Sequence, residues 1–156
     1  MTKKEKYEEL IPQIEALIEG ETNVVGVLAN VSAAIRSSLG YFWIGFYVVK
    51  NDVLQLGPFQ GDVACYTIPF GKGVCGAAWE REETIIVKDV EEFPGHIACS
   101  SLSRSEIVVP VKDPAGIVWA VLDIDSTNLA EFDETDKEGL EQIAALLSSY
   151  KVKSEE

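Results

Sequence analysis

"SEIVVPVKDPAGIVWAVLDIDS", Ser105 to Ser126, decides how this chain folds. Two runs rich in valine and isoleucine flank Asp113-Pro114-Ala115-Gly116. Proline presets φ near the start of a tight turn and glycine releases the chain at its end, so the stretch reads as a β-hairpin. Side chains alternate along a strand, which places Asp123 and Asp125 on one face of its second arm, directly after the apolar "IVWAVL". Two carboxylates side by side on an otherwise apolar strand are costly unless a cation or a shared proton compensates.

The same grammar extends outward. "YFWIGFYVV", Tyr41 to Val49, is dense in aromatic and β-branched residues and reads as a central strand. It continues through a hairpin turn at Asn51-Asp52 into a partner strand. "TIIVKDV" is a further strand that ends in an acidic loop. Between them, "GKGVCGAAWERE" is broken by Gly71, Gly73 and Gly76, and its Ala-rich end suits a short helix. Two helices come first: one from about Lys4 to Glu19, with Pro12 as a kink or late start, and one capped by Thr22 or Asn23 and stopped by Gly40. The closing stretch "FDETDKEGLEQIAALLSSYK" is a helix with Asp133 as N-cap and Asp136 at the third position. The expected fold is α+β: a five- or six-stranded antiparallel sheet with the terminal helices on one face. The segment from Asp62 to Glu106 covers the other face and leaves a ligand pocket.

The 156 residues suit one domain, 1–156, and 47% of them are apolar. No run reaches the ~18 apolar residues of a membrane span. The charged N-terminus carries no secretory pattern, so a cytoplasmic protein with no membrane association is expected. A net charge of −13 repels phosphate backbones and argues against nucleic-acid binding.

Three cysteines, Cys65, Cys75 and Cys99, are an odd number in a reducing compartment, which leaves transient redox pairs or buried thiols. Cys99 lies within the loop "FPGHIACSS", seven residues before Glu106, where exposure to a ligand and burial as a small apolar residue are equally open readings. Cys75 lies among small residues that favour packing, and Cys65 flanks a strand in "DVACYTI". Trp43 and Tyr47 share a strand face, with Gly45 between them leaving room above the sheet. They form an aromatic wall or ordinary core. His96, the lone histidine, reads as a solvated loop residue. No metal is expected, since zinc sites use close cysteine pairs and only His96 and Cys99 are close.

"YFWIGFYVV", "QGDVACYTIPFGKGVCGAAWE", "HIACSSLSRSEIVVPV" and "LDIDS…FDETDKEGLEQIA" together resemble the GAF domain, and within it the free methionine-(R)-sulfoxide reductases. The resemblance runs from about Glu21 to Leu147. It implies reduction of free L-methionine-(R)-sulfoxide to methionine through a cysteine sulfenic acid and an intramolecular disulfide. Cys99 is then the attacking thiol and Cys65 the main resolving partner, with Cys75 able to pair under some conditions. Glu106, Asp123 and Asp125 take the proton-donor and ammonium-binding roles, with Glu106 and Asp125 counted as catalytic; Trp43 and Tyr47 wall the pocket. The carboxylate of the substrate would meet backbone N–H groups of Ile97 to Ser101, or the hydroxyls of Ser100, Ser101 and Ser103. The resemblance further implies thioredoxin as external reductant, no bound cofactor, and a possible homodimer. The rival expectation is a GAF module that senses a small molecule or redox state without chemistry.

Overall fold

The computed structural model describes residues 1–151, so the last five residues of the expected domain lie outside the described residues. Four helices and six strands follow one another as α1 (Lys3–Ile18), α2 (Val24–Leu39), β1 (Trp43–Lys50), β2 (Val53–Gln60), β3 (Thr67–Pro69), α3 (Gly73–Arg81), β4 (Ile85–Val87), β5 (Ser105–Lys112), β6 (Val118–Ser126) and α4 (Glu134–Leu146). The strands form one antiparallel sheet in the order β3-β2-β1-β6-β5-β4. β1 and β6 are its central pair, and the Ser105–Ser126 hairpin supplies β6 and its neighbour β5. The Gly116 N–H donates to the Asp113 carbonyl at 2.9 Å, and the Asp113 carboxylate accepts from Ala115 and Ile117. At the second hairpin Asn51 and Asp52 both take positive φ, as a tight two-residue turn demands.

Period-two alternation sends each strand's side chains to two different cores. Ile44 and Phe46 of β1, Ile107, Val109 and Val111 of β5, and Leu122 and Ile124 of β6 face α2 and α4. The opposite face carries Trp43, Tyr47, Val108 and Val121, covered by α3 and its flanking loops. Both faces of β5 and β6 are buried, which is why the hairpin reads as a nearly continuous apolar run.

The helical layer differs from expectation in its detail. α1 packs across α2 and α4 rather than lying flat on the sheet. Pro12 neither starts nor breaks α1; it sits on the exposed side of a continuous helix, where the carbonyl left without an amide partner faces water. The helix begins earlier, at a Thr2–Glu5 capping box. Asn23 caps α2, and Gly40 ends it in the left-handed conformation. Asp133 and Asp136 close a second capping box on α4. Asp136 also anchors the layer: one carboxylate oxygen accepts the hydroxyls of Tyr7 (2.7 Å) and Tyr41 (2.6 Å), and the other accepts Lys3 (2.7 Å). No helix among the described residues is long and apolar enough to cross a membrane.

Candidate active site

Strand register builds the floor of the pocket. On the face away from α2 and α4, Trp43, Asp125 and Glu106 lie in one cross-strand row, and Gly45, Asp123 and Val108 in the next. Tyr47 stands beside Val121 in the third row. Three carboxyls therefore meet at the junction of β5 and β6. α3 closes one side and presents Gly73, Val74 and Cys75. The loop between β4 and β5 forms the roof, contributing His96, Ile97, Cys99, Ser100 and Ser103. That loop is clamped at its base, where Val90 N–H donates to the Arg104 carbonyl and Arg104 N–H donates to Ser126. The cavity volume is about 40 Å³, a narrow pocket with the roof loop drawn down over the carboxyls.

Cys65 and Cys99 form a disulfide, with their Cα atoms 5.4 Å apart. The bridge ties the segment before β3 to the roof loop, and Cys99 lines the pocket. Tyr47 reaches the same place: its hydroxyl donates to the Cys65 carbonyl at 3.0 Å. Trp43 donates its indole N–H to the Asp62 carbonyl at 2.9 Å. The two aromatics thus hold the segment carrying Cys65 as well as walling the pocket. Gly45 does not leave open room between them. A Cβ there would overlap Phe59 Cβ and meet the six-membered ring of Trp43, which lies over the glycine and stacks on Phe59 with centroids 5.1 Å apart. The missing side chain admits the indole rather than the ligand.

Burial dominates the electrostatics. Glu106 and Asp123 are each only 5% exposed. Burial first, then the charges of Asp123 and Asp125, push the Glu106 carboxyl well above the usual carboxylate range. Asp125 is driven up in the same way, by burial and by Asp123. Asp123 is raised by burial alone, while hydrogen bonds from Glu106 and Cys75 pull it back down. All three carboxyls are shifted towards their protonated forms, Asp123 less strongly than Glu106 and Asp125. One Asp123 oxygen is buried without a hydrogen-bond partner, a costly state that an incoming N–H donor would relieve.

Cys75 is buried, unpaired, and 4.0 Å from Glu106 Oε2. Its thiol is pushed well up by burial and by the neighbouring carboxylates, so it stays protonated and weakly nucleophilic. Cys75, Glu106 and Asp123 bring one ligand atom each within 4.8 Å of one another. A cation there would have to displace protons that burial holds in place.

His96 is not the solvated loop residue that its position suggested. Its side chain is 16% exposed and lines the pocket, with Nε2 3.9 Å from Glu106 Oε1. Of the three serines considered for a substrate carboxylate, Ser100 and Ser103 line the pocket and Ser101 does not. A further donor set is the start of α3, where no side chain caps the first amides and Gly73 turns at φ +60°. The glycine-interrupted "GKGVCG" was the signal that could have found it.

A thiol pair at the lip and three carboxyls on the floor of a half-closed pocket, on a sheet backed by helices, define a redox-active small-molecule domain. Residues 19–150 match the GAF domain family. GAF domain-containing protein A of Dictyostelium discoideum is 54% identical over 149 residues, covering 95% of this chain and 94% of that protein. Free methionine-R-sulfoxide reductase of Escherichia coli is 46% identical over 148 residues, covering 94% of this chain and 89% of that protein. The X-ray structure of free methionine-R-sulfoxide reductase from Neisseria meningitidis in complex with its substrate superposes with a TM-score of 0.92 at 51% identity, covering 95% of this chain and 89% of that one. The chain belongs to the GAF domain family, in its free methionine-R-sulfoxide reductase branch.

Proposed function

We propose that this protein reduces free L-methionine-(R)-sulfoxide to L-methionine, with Cys99 attacking, Cys65 resolving and an external dithiol protein of the thioredoxin kind restoring both thiols. The observation that carries the reading is the Cys65–Cys99 bridge, with Cys99 in the lining of a pocket that also holds Glu106, Asp123 and Asp125.

The Asp123 oxygen without a partner and the half-buried Asp125 receive the substrate ammonium. Ser100, Ser103 and the first amides of α3 receive its carboxylate. The S-methyl group lies against Trp43 and Tyr47, where sulfur–aromatic contact is favourable. A pocket that grips both ends of an amino acid leaves no path for a polypeptide, which fits the free compound. Glu106, protonated because it is buried beside two aspartates, gives its proton to the sulfoxide oxygen as the Cys99 thiolate attacks the sulfur. Asp125, directly opposite it across the strand pair, shares that proton. The sulfur–oxygen bond breaks, methionine leaves, and the oxygen stays on Cys99 as a sulfenic acid. The Cys65 thiol then displaces it, the S–S bond forms, and the oxygen departs as water. Substrate sulfur gains two electrons, the cysteine pair loses two, and the external dithiol returns them. Cys75, buried and protonated, is the reserve thiol of this cycle.

The deciding assay is thioredoxin-coupled NADPH consumption with the separated R and S epimers of free methionine sulfoxide. Turnover of the R epimer that disappears in Cys99→Ser is expected. No turnover of the R epimer removes the reductase reading and leaves a sensor, and activity persisting in Cys99→Ser removes the assignment of the nucleophile. Peptide mapping after a single substrate turnover is expected to find Cys65–Cys99, and a Cys75–Cys99 bridge alone would overturn the choice of resolving thiol.

A further inference from the structure

We propose that His96 carries protons between solvent and Glu106, returning to that carboxyl the proton it spends on the substrate oxygen. The inference rests on the reductase reading above and concerns a residue that reading does not use. His96 touches no reacting atom; it acts through Glu106.

A buried acid that donates once per turnover must be reprotonated once per turnover. The groups facing Glu106 come from four directions: Asp123 and Asp125 on β6, Cys75 on α3, Tyr47 on β1 and His96 on the roof loop. Cys75, Asp123 and Tyr47 are buried to 5% exposure or less, and none of them stands in the roof. Asp125 is half-buried, yet it lies in the row beneath the bound ammonium, so the loaded pocket closes that route. His96 alone among these groups stands in the roof, with one side towards solvent and Nε2 3.9 Å from Glu106 Oε1. That gap is closed by a small rotation of either side chain, and catalytic hydrogen bonds are commonly long before substrate binds. Burial lowers the affinity of the imidazole for its proton, which keeps it neutral at rest and ready to pass on any proton it takes.

The step balances without electrons. Glu106 loses H⁺ to the sulfoxide oxygen and becomes a carboxylate. Imidazole takes H⁺ from water to become imidazolium, then gives H⁺ to the carboxylate, leaving neutral imidazole and the acid form of Glu106. The proton spent leaves later within the water released when the disulfide forms. No other side chain needs to move between the floor and the roof.

Two measurements on the whole chain test this. In His96→Gln, kcat for the R epimer is expected to fall ~10- to 100-fold with KM within about twofold, general acid–base steps being worth ~10²–10⁴. Added imidazole is expected to restore kcat in proportion to its imidazolium fraction. A kcat within twofold of wild type, a loss confined to KM, or a loss that imidazole does not repair would each overturn the relay. The second measurement needs no turnover. His96 is the only histidine, so its ring proton NMR signal in the reduced protein is unambiguous. Its pH titration is expected to contain an inflection shared with Glu106 that vanishes in Glu106→Gln. Superimposable titrations in the two proteins would refute the coupling whether or not the wild type proves to be a reductase.

Discussion

Asp136→Ala tests how far the fold depends on one buried carboxylate. Asp136 is fully buried and accepts Tyr7 and Tyr41 on one oxygen, and Lys3 and its own cap residue Asp133 on the other. Alanine leaves both tyrosine hydroxyls without this partner among buried neighbours, at ~1–3 kcal/mol each. Lys3 is 29% exposed, so its ion pair is screened and adds only ~0.5 kcal/mol. The total is about 4 kcal/mol, consistent with the usual cost of removing one partner from a buried charged network. For a chain of this size that lowers Tm by about 8–16 °C. The assay is thermal and denaturant unfolding of the reduced protein. Tyr7→Phe in the Asp136→Ala background is expected to cost at least ~1 kcal/mol less than it does in wild type, since the phenylalanine removes a hydroxyl already orphaned. Turnover at 20 °C is expected to be unchanged, because the network joins the helices on the face opposite the pocket. A destabilisation under ~1 kcal/mol, or strictly additive single and double variants, would refute this account of what binds α1 to the rest.

Three further outcomes follow from the pocket. The folded-state pKa of Glu106 is raised, so as pH climbs past 4.5 the unfolded chain releases a proton that the fold retains, and stability falls with rising pH. Glu106→Gln removes that term: the variant's Tm relative to wild type is expected to grow from pH 4.5 towards pH 8, and a difference that does not vary with pH would contradict the assigned burial of the acid. Tyr47→Phe loses the bond to the Cys65 carbonyl, worth ~0.5–1.5 kcal/mol. Sulfenic acid on Cys99 should then persist about 2- to 10-fold longer in single-turnover trapping with a sulfenate probe, and unchanged resolution would mean the tyrosine does not position Cys65. Gly45→Ala forces the Trp43 indole off the sheet; KM for the sulfoxide should rise and stability fall by ~1–3 kcal/mol, whereas wild-type behaviour in both would show that the ring has somewhere else to go.

Much of this architecture was readable because it obeys local rules. The turns at Asn51-Asp52 and Asp113–Gly116 and the caps at Asn23, Gly40 and Asp133 each depend on a few adjacent residues. The Asp123–Asp125 pair was legible from period two alone, whereas Glu106 joins it through the register of β5 against β6. What was not legible depends on approach rather than pattern. His96 sits on a loop without periodicity, and only the clamp between Val90 and Arg104 turns that loop back over Glu106. Cys75 looked like a packing residue because "GVCGAA" records its small neighbours and not the carboxyls that α3 is docked against. The open room expected over Gly45 is absent because the ring of Trp43, two residues away on the same strand face, fills it.

The bond between Cys65 and Cys99 joins two chain segments 34 residues apart, one on each lip of the cavity. In the proposed cycle this bond is made and broken, and any difference it makes to the affinity for a bound guest has, by thermodynamic reciprocity, a converse. Whichever oxidation state holds methionine or its sulfoxide more tightly must be favoured when that compound is abundant. Each tenfold difference in affinity moves the midpoint potential of the pair by about 30 mV. Under the proposed cycle, metabolite concentration becomes a term in the equilibrium with the external dithiol, a coupling that a thiol pair remote from the cavity would not possess.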